Sequence, residues 1–94
     1  MGELVLKIVK NFKKQKVSIL ESEEAEVSVL RVGRNWICVR LEGTVVLDKN
    51  WDRKTNQQQK FKLKDFLGGM YIEEVRKEVK AGEFKVCDLN SFIN

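Results

Sequence analysis

Hydrophobic and polar positions alternate through most of the first half of the chain, most densely at residues 26–48, EVSVLRVGRNWICVRLEGTVVLD. Val27 and Val29 alternate with Ser28 and Leu30 up to Val32; after Gly33-Arg34-Asn35, Ile37, Val39 and Leu41 face one way and Trp36, Cys38 and Arg40 the other. A period of two in a run rich in β-branched residues marks strands. Gly-Arg-Asn supplies residues that a tight turn tolerates at positive φ. The stretch therefore predicts a long antiparallel hairpin, the spine of a small sheet. Gly43 interrupts the second strand and predicts a bulge or sharp bend before the extended run resumes at 44–47. Upstream, Leu4, Leu6 and Ile8 share a face with Lys7 on the other, and a polar turn at 11–15 leads to a short strand at 16–20 with Val17 and Ile19 inward. Together they predict a first hairpin.

The pattern changes after Asp48. Residues 48–60, DKNWDRKTNQQQK, hold one apolar side chain, Trp51, and predict an exposed, mobile loop. Phe61-Lys62-Leu63-Lys64 alternates again and predicts a strand with Phe61 and Leu63 inward. Asp65 suits a cap and Gly68-Gly69 a break. From Met70 the period becomes helical: Tyr71, Ile72, Val75 and Val79 recur at that spacing, Glu73 precedes Lys77 by one turn, and Gly82 stops the run. A helix is predicted over 70–80. A last short strand follows at 83–89 with Phe84 and Val86 inward, then a tail whose Phe92 docks on the core. The fold class is α+β: one domain over 1–94, a mostly antiparallel, strongly curved sheet or small open barrel, and one helix in the C-terminal half.

Length and composition narrow the function. A chain of 94 residues supports one modest core, and 43% apolar with 34% charged residues is a globular composition. No apolar run approaches the roughly 20 residues needed to cross a bilayer, and MGELVLKIVK lacks the apolar centre of a signal peptide, so a cytoplasmic protein without a membrane partner is expected. Histidine is absent, and the two cysteines, Cys38 and Cys87, have no C-x-x-C spacing. That composition argues against a metal site, a cofactor or a disulfide, and for two free thiols. Acid–base and nucleophilic catalysis usually draw on histidine, so the chain is not expected to be an enzyme.

Charge is segregated along the chain. Residues 1–20 carry five lysines against one acid, 21–26 carry four glutamates, 49–64 carry six cations against Asp52, and 65–94 are net negative by two. Basic residues also stand beside aromatic ones: Lys49, Arg53 and Lys54 around Trp51, Arg34 and Arg40 around Trp36, Lys13 and Lys14 beside Phe12. Cations that track phosphates and rings that stack on bases are the chemistry of single-strand binding. The expected function is nucleic-acid binding, single-stranded DNA or RNA in preference to duplex. Lys49, Arg53, Lys54, Lys60 and Lys62 would neutralise phosphates, Trp51 would stack, and Arg34, Trp36 and Arg40 would extend the track. The alternative is a protein-interaction or homo-oligomeric module, dimerising through Tyr71, Ile72, Val75 and Val79.

Val27-Ser28-Val29-Leu30-Arg31-Val32-Gly33-Arg34 and Ile37-Cys38-Val39-Arg40 resemble the paired strands of the positive cofactor 4 family of transcriptional coactivators. The resemblance covers about half the chain. It implies a curved antiparallel sheet, dimerisation through the helix and binding of single-stranded or melted DNA, with Arg31, Arg34 and Arg40 at matching positions. The chain departs from the pattern at Gly43, lacks a glycine-rich approach to the third strand, and adds an N-terminal hairpin and a C-terminal strand.

Overall fold

The computed structural model describes residues 5–92. Five strands follow one another as an antiparallel meander: β1 (Leu6–Phe12), β2 (Val17–Ser22), β3 (Val27–Val32), β4 (Asn35–Leu41) and β5 (Thr44–Asp48). Two helices, α1 (Gln57–Phe66) and α2 (Ile72–Lys80), cross back so that β6 (Lys85–Cys87) pairs parallel to β5, and a 3₁₀ turn (Leu89–Phe92) closes the described chain. The six-stranded sheet is open, with β1 and β6 as its edges. The α+β expectation holds. Leu4 and the Phe92 side chain lie outside what is described.

Turn chemistry fixes the meander. Gly33 at φ 57° opens the two-residue β3–β4 turn, as read from the sequence. Gly43 is a correction: it does not bend one long strand but closes a two-residue turn with Glu42, separating β4 from β5. Glu42 at φ 49° and Gly43 at φ 84° are both left-handed, the combination that matches the twist of paired strands. The glutamate at that position hid the turn.

The sheet has two unequal faces. Val17, Leu30, Val32, Cys38 and Leu47 point to the helices and pack with Trp51, Leu63, Phe66 and Val75. Leu20, Val27 and Val29 point the other way, with Leu6, Trp36 and Val39 around them. Strict alternation would send Ile37 and Cys38 to opposite faces. Instead the β3–β4 register runs Leu30↔Cys38 then Arg31↔Trp36, leaving Ile37 as an extra residue. Both Ile37 and Cys38 are then buried in the helix-side core. Burial pushes the Cys38 thiol up to about 12, against a smaller opposing effect of Arg40, so it is an unreactive core residue; Cys87 is exposed.

The larger correction concerns residues 48–66. The strand expected at 61–64 is the middle of α1, and Phe61 points outward, 56% exposed. Gln59, Leu63 and Phe66 are the residues that α1 buries. Asn56 caps the helix: its side chain accepts from the Gln59 N–H and the Gln59 side chain accepts from the Asn56 N–H, each at 2.9 Å, a reciprocal pair that satisfies two otherwise unpaired donors. The expected helix at 70–80 is α2. Its Val75 is fully buried and Ile72 and Val79 pack on the chain's own core, while Tyr71 is 63% exposed. Val86, expected inward, is largely exposed.

Trp51 is only 6% exposed, within the helix-side core. Trp51→Ala should therefore cost about 3–5 kcal/mol of stability, whereas Phe61→Ala should stay within about 0.5 kcal/mol of the parent. Urea unfolding of both variants checks this, and equal small losses would place Trp51 on the surface.

Candidate nucleic-acid interface

The 49–56 segment folds inward because of Asp48. Its carboxylate is fully buried, and it accepts from the Asn50 N–H at 3.0 Å, the Leu89 N–H at 3.1 Å and the Asn90 amide at 3.3 Å, with the Lys54 ammonium at 3.5 Å. The Trp51 N–H donates to the Asp48 carbonyl at 3.0 Å, and the Thr55 hydroxyl donates to the Trp51 carbonyl at 2.9 Å. Asn90 in turn bonds both the N–H and the carbonyl of Trp36, at 2.8 and 3.2 Å, filling the ladder where β5 has turned away. A ring held this way is not a stacking platform. Trp51 as the residue that stacks on a base is corrected.

Several expected phosphate contacts have other duties. Lys60 is nearly buried and donates to the Asp52 and Thr55 carbonyls, with the Asp52 carboxylate at 3.3 Å. Lys54 serves Asp48, and Lys49 lies 3.4 Å from Asp88. Arg40 donates to the Phe66 carbonyl at 3.0 Å and covers that ring at 5.9 Å, closing the C-terminal end of α1 onto the sheet. Arg34 and Arg53 are exposed and make no ion pair among the described residues. Trp36 lies half-buried on the face opposite the helices. Arg31 pairs with Trp36 across β3 and β4, so Arg31 and Arg40 do not share a face.

Around α1 the structure assembles a surface that spacing along the chain did not indicate. Between α1 and the start of α2 lies a cleft of about 240 Å³, lined by Phe61, Tyr71 and Ile72 and by the polar Gln57, Lys60, Lys64 and Glu73, the last held by Arg76. The Lys64 ammonium stands 4.4 Å over the Tyr71 ring. Phe61 and Tyr71 are the two exposed aromatic rings among the described residues. On the other side of α1 a groove of about 310 Å³ runs between the helix and the sheet. Phe12, Ile19 and Phe66 form its apolar walls; Lys10, Arg40 and Lys62 bring cations to it, and Glu21, Asp65 and Ser28 bring acceptors. Lys62 lies 4.1 Å over the Phe12 ring.

Charge is also sorted along the strands. The β1–β2 turn carries Lys13, Lys14 and Lys16, and the Gly33 N–H donates to the Lys16 carbonyl at 2.8 Å, which sets Arg34 beside them. Gln59 of α1 donates to the Gln15 carbonyl at 2.8 Å, joining this cationic end to the helix. At the other end Glu23, Glu24, Glu26 and Glu42 occupy the β2–β3 and β4–β5 turns, linked by the Glu42 N–H to the Glu26 carbonyl at 3.1 Å. The sequence did hold one signal for this site: Asn56-x-x-Gln59 followed by Leu63 and Phe66 is a capping box leading into helical spacing.

Among the described residues no group of three or more His, Cys, Asp or Glu converges as metal ligands, and no helix is long and apolar enough to cross a membrane. Comparison with family models, with curated proteins and with solved structures finds no match for this chain.

The loop and α2 are joined by Asp52, whose carboxylate accepts from Arg76 Nε at 2.8 Å and Nη2 at 3.1 Å. Those bonds, with Lys60 as the second cation, hold the Asp52 carboxyl below its ordinary value of 3.8 despite an opposing desolvation. A carboxylate lowered by folding stabilises the fold fully above the ordinary value, and the contribution is lost as pH falls below that value through the lowered one. Asp52→Asn should lower the melting temperature by a few degrees at neutral pH. The gap from the parent should close near pH 2, and a gap independent of pH would contradict the assignment.

Proposed function

We propose that this chain binds single-stranded nucleic acid across α1. The observation that carries the reading is the pairing of the two exposed rings, Phe61 and Tyr71, in one cleft with Lys64 over the second ring. An exposed ring beside an ammonium is what a base and its phosphate require. The base stacks on a π-face, whatever its identity, and the cation follows the backbone. Lys62 on the neighbouring stripe of α1, and the Lys13, Lys14, Lys16 and Arg34 cluster beyond it, extend the cationic path. Of the residues expected from the sequence, Lys62 and Arg34 keep a phosphate role, and Arg53 stands free for one. Single strands are favoured over duplex because stacking needs unpaired bases. The chain acts as a binding module rather than a catalyst, in the cytoplasm.

A second reading, a protein-interaction or homo-oligomeric module, is favoured by the edge strand. Val5, Ile8 and Val9 are exposed along or beside β1, and an unpaired edge is a template for another strand. A homodimer would form there rather than at the largely covered face of α2.

Titration of a labelled oligouridine or oligothymidine at several salt concentrations tests the leading reading. With about four phosphate contacts, log K should fall against log salt with a slope near −3. Phe61→Ala and Tyr71→Ala should each weaken binding by roughly 5- to 100-fold. No binding at low salt, together with a dimer in sedimentation equilibrium, would favour the second reading.

A further inference from the structure

The groove on the sheet side of α1 is chemically different from the Phe61–Tyr71 cleft. Stacking on exposed rings is indifferent to base identity; a groove with polar groups of both signs is not. Its volume of about 310 Å³ sits at the lower limit of small-molecule sites, which suits one flat base and no duplex. Phe12 and Phe66 supply apolar walls. Lys10 from β1, Arg40 from β4 and Lys62 from α1 supply donors, and Glu21 from β2 and Asp65 from α1 supply carboxylates. None of these five charged side chains makes an ion pair among the described residues. Arg40 spends one donor on the Phe66 carbonyl and Lys62 lies over the Phe12 ring, which leaves the other guanidinium donors and the two carboxylates for a ligand.

Base edges differ in what they can offer to such a groove. Uracil and thymine present one N–H between two carbonyls. Cytosine and adenine each present one amino group beside a ring acceptor. Guanine alone presents two adjacent donors, N1–H and the 2-amino group, which one carboxylate accepts together. It also presents two adjacent acceptors, O6 and N7, which Arg or Lys recognises. We infer that this groove is a guanine-selecting subsite, in which the Glu21 or Asp65 carboxylate takes the N1–H and 2-amino donors while Arg40, Lys10 or Lys62 serves the O6 edge. The inference rests on the single-strand reading above and adds the base class that the stacking cleft cannot choose. Lys62, half-buried over the Phe12 ring, must leave it as the base enters, at the cost of that cation–π contact.

The test compares three oligouridines of equal length: one unmodified, one with a single central guanosine, and one with inosine in its place. Inosine lacks only the 2-amino group. The guanosine oligomer should bind the parent chain roughly fivefold or more tightly than the other two. Glu21→Gln and Asp65→Asn are changes at exposed positions, and at least one of them should abolish that preference without weakening oligouridine binding, since each removes a negative charge from the path of the phosphates. Phe61→Ala should weaken all three oligomers in parallel. If the three bind equally to the parent chain, the guanine subsite is wrong and the single-strand reading stands. If none binds at low salt, both fall. A guanosine preference that survives both carboxylate variants would also overturn the assignment.

Discussion

Placement of the second half of the chain depends on one buried charge. Asp48 is the last residue of β5, and a carboxylate without access to water is tolerated only when its acceptor positions are filled. Two backbone N–H groups, the Asn90 amide and the Lys54 ammonium fill them. The same arrangement turns the chain away from the sheet at Asn50, holds the 3₁₀ turn across the end of β4 and leaves Trp51 inside the core. Thr55 and Asn56 then start α1 where Leu63 and Phe66 can cover the sheet. Both clefts beside α1 follow from that start.

Charge sorting gives the surface a direction. Glutamates gather at the β2–β3 and β4–β5 turns and lysines at the β1–β2 turn, so that on the proposed reading a polyanion would be turned from one end of the sheet toward the other. Fields of this kind act on approach and orientation and weaken with salt. On the proposed reading, local contacts would hold the ligand once it arrives. Around α1 these would be the exposed rings of Phe61 and Tyr71, whose apolar area the core could have used, and the half-buried Lys62 and Lys64.

The meander was legible because sheets write their faces into the sequence at a period of two, and Val27, Val29, Leu30 and Val32 follow it closely. The bulge at Ile37 was not, because one extra residue changes no composition and is decided by the fit of Ile37 and Cys38 beneath the helices. The α1 segment misled for two reasons. Gln59 occupies a buried position and breaks the apolar stripe, while Phe61 stands outside and completes a false alternation with Leu63. Trp51 misled because a polar neighbourhood along the chain was read as a polar neighbourhood in space. Lys49, Arg53, Lys54 and Lys60 do surround it in sequence, but two of them are spent on Asp48 and Asp52. Rings do lie beside a lysine in the structure, at Phe61, Tyr71 and Lys64, but that grouping became visible only when α1 was seen to be a helix.

The most direct test of the account is amide chemical-shift mapping of the isotope-labelled chain during titration with an unlabelled single-stranded oligonucleotide at low salt. Shifts should concentrate at residues 57–72 and at the β1–β2 turn, with the surroundings of Trp36 and Val39 unmoved. Shifts confined to the helix-free face, or to the segment around Arg53, would contradict the placement of the interface on α1.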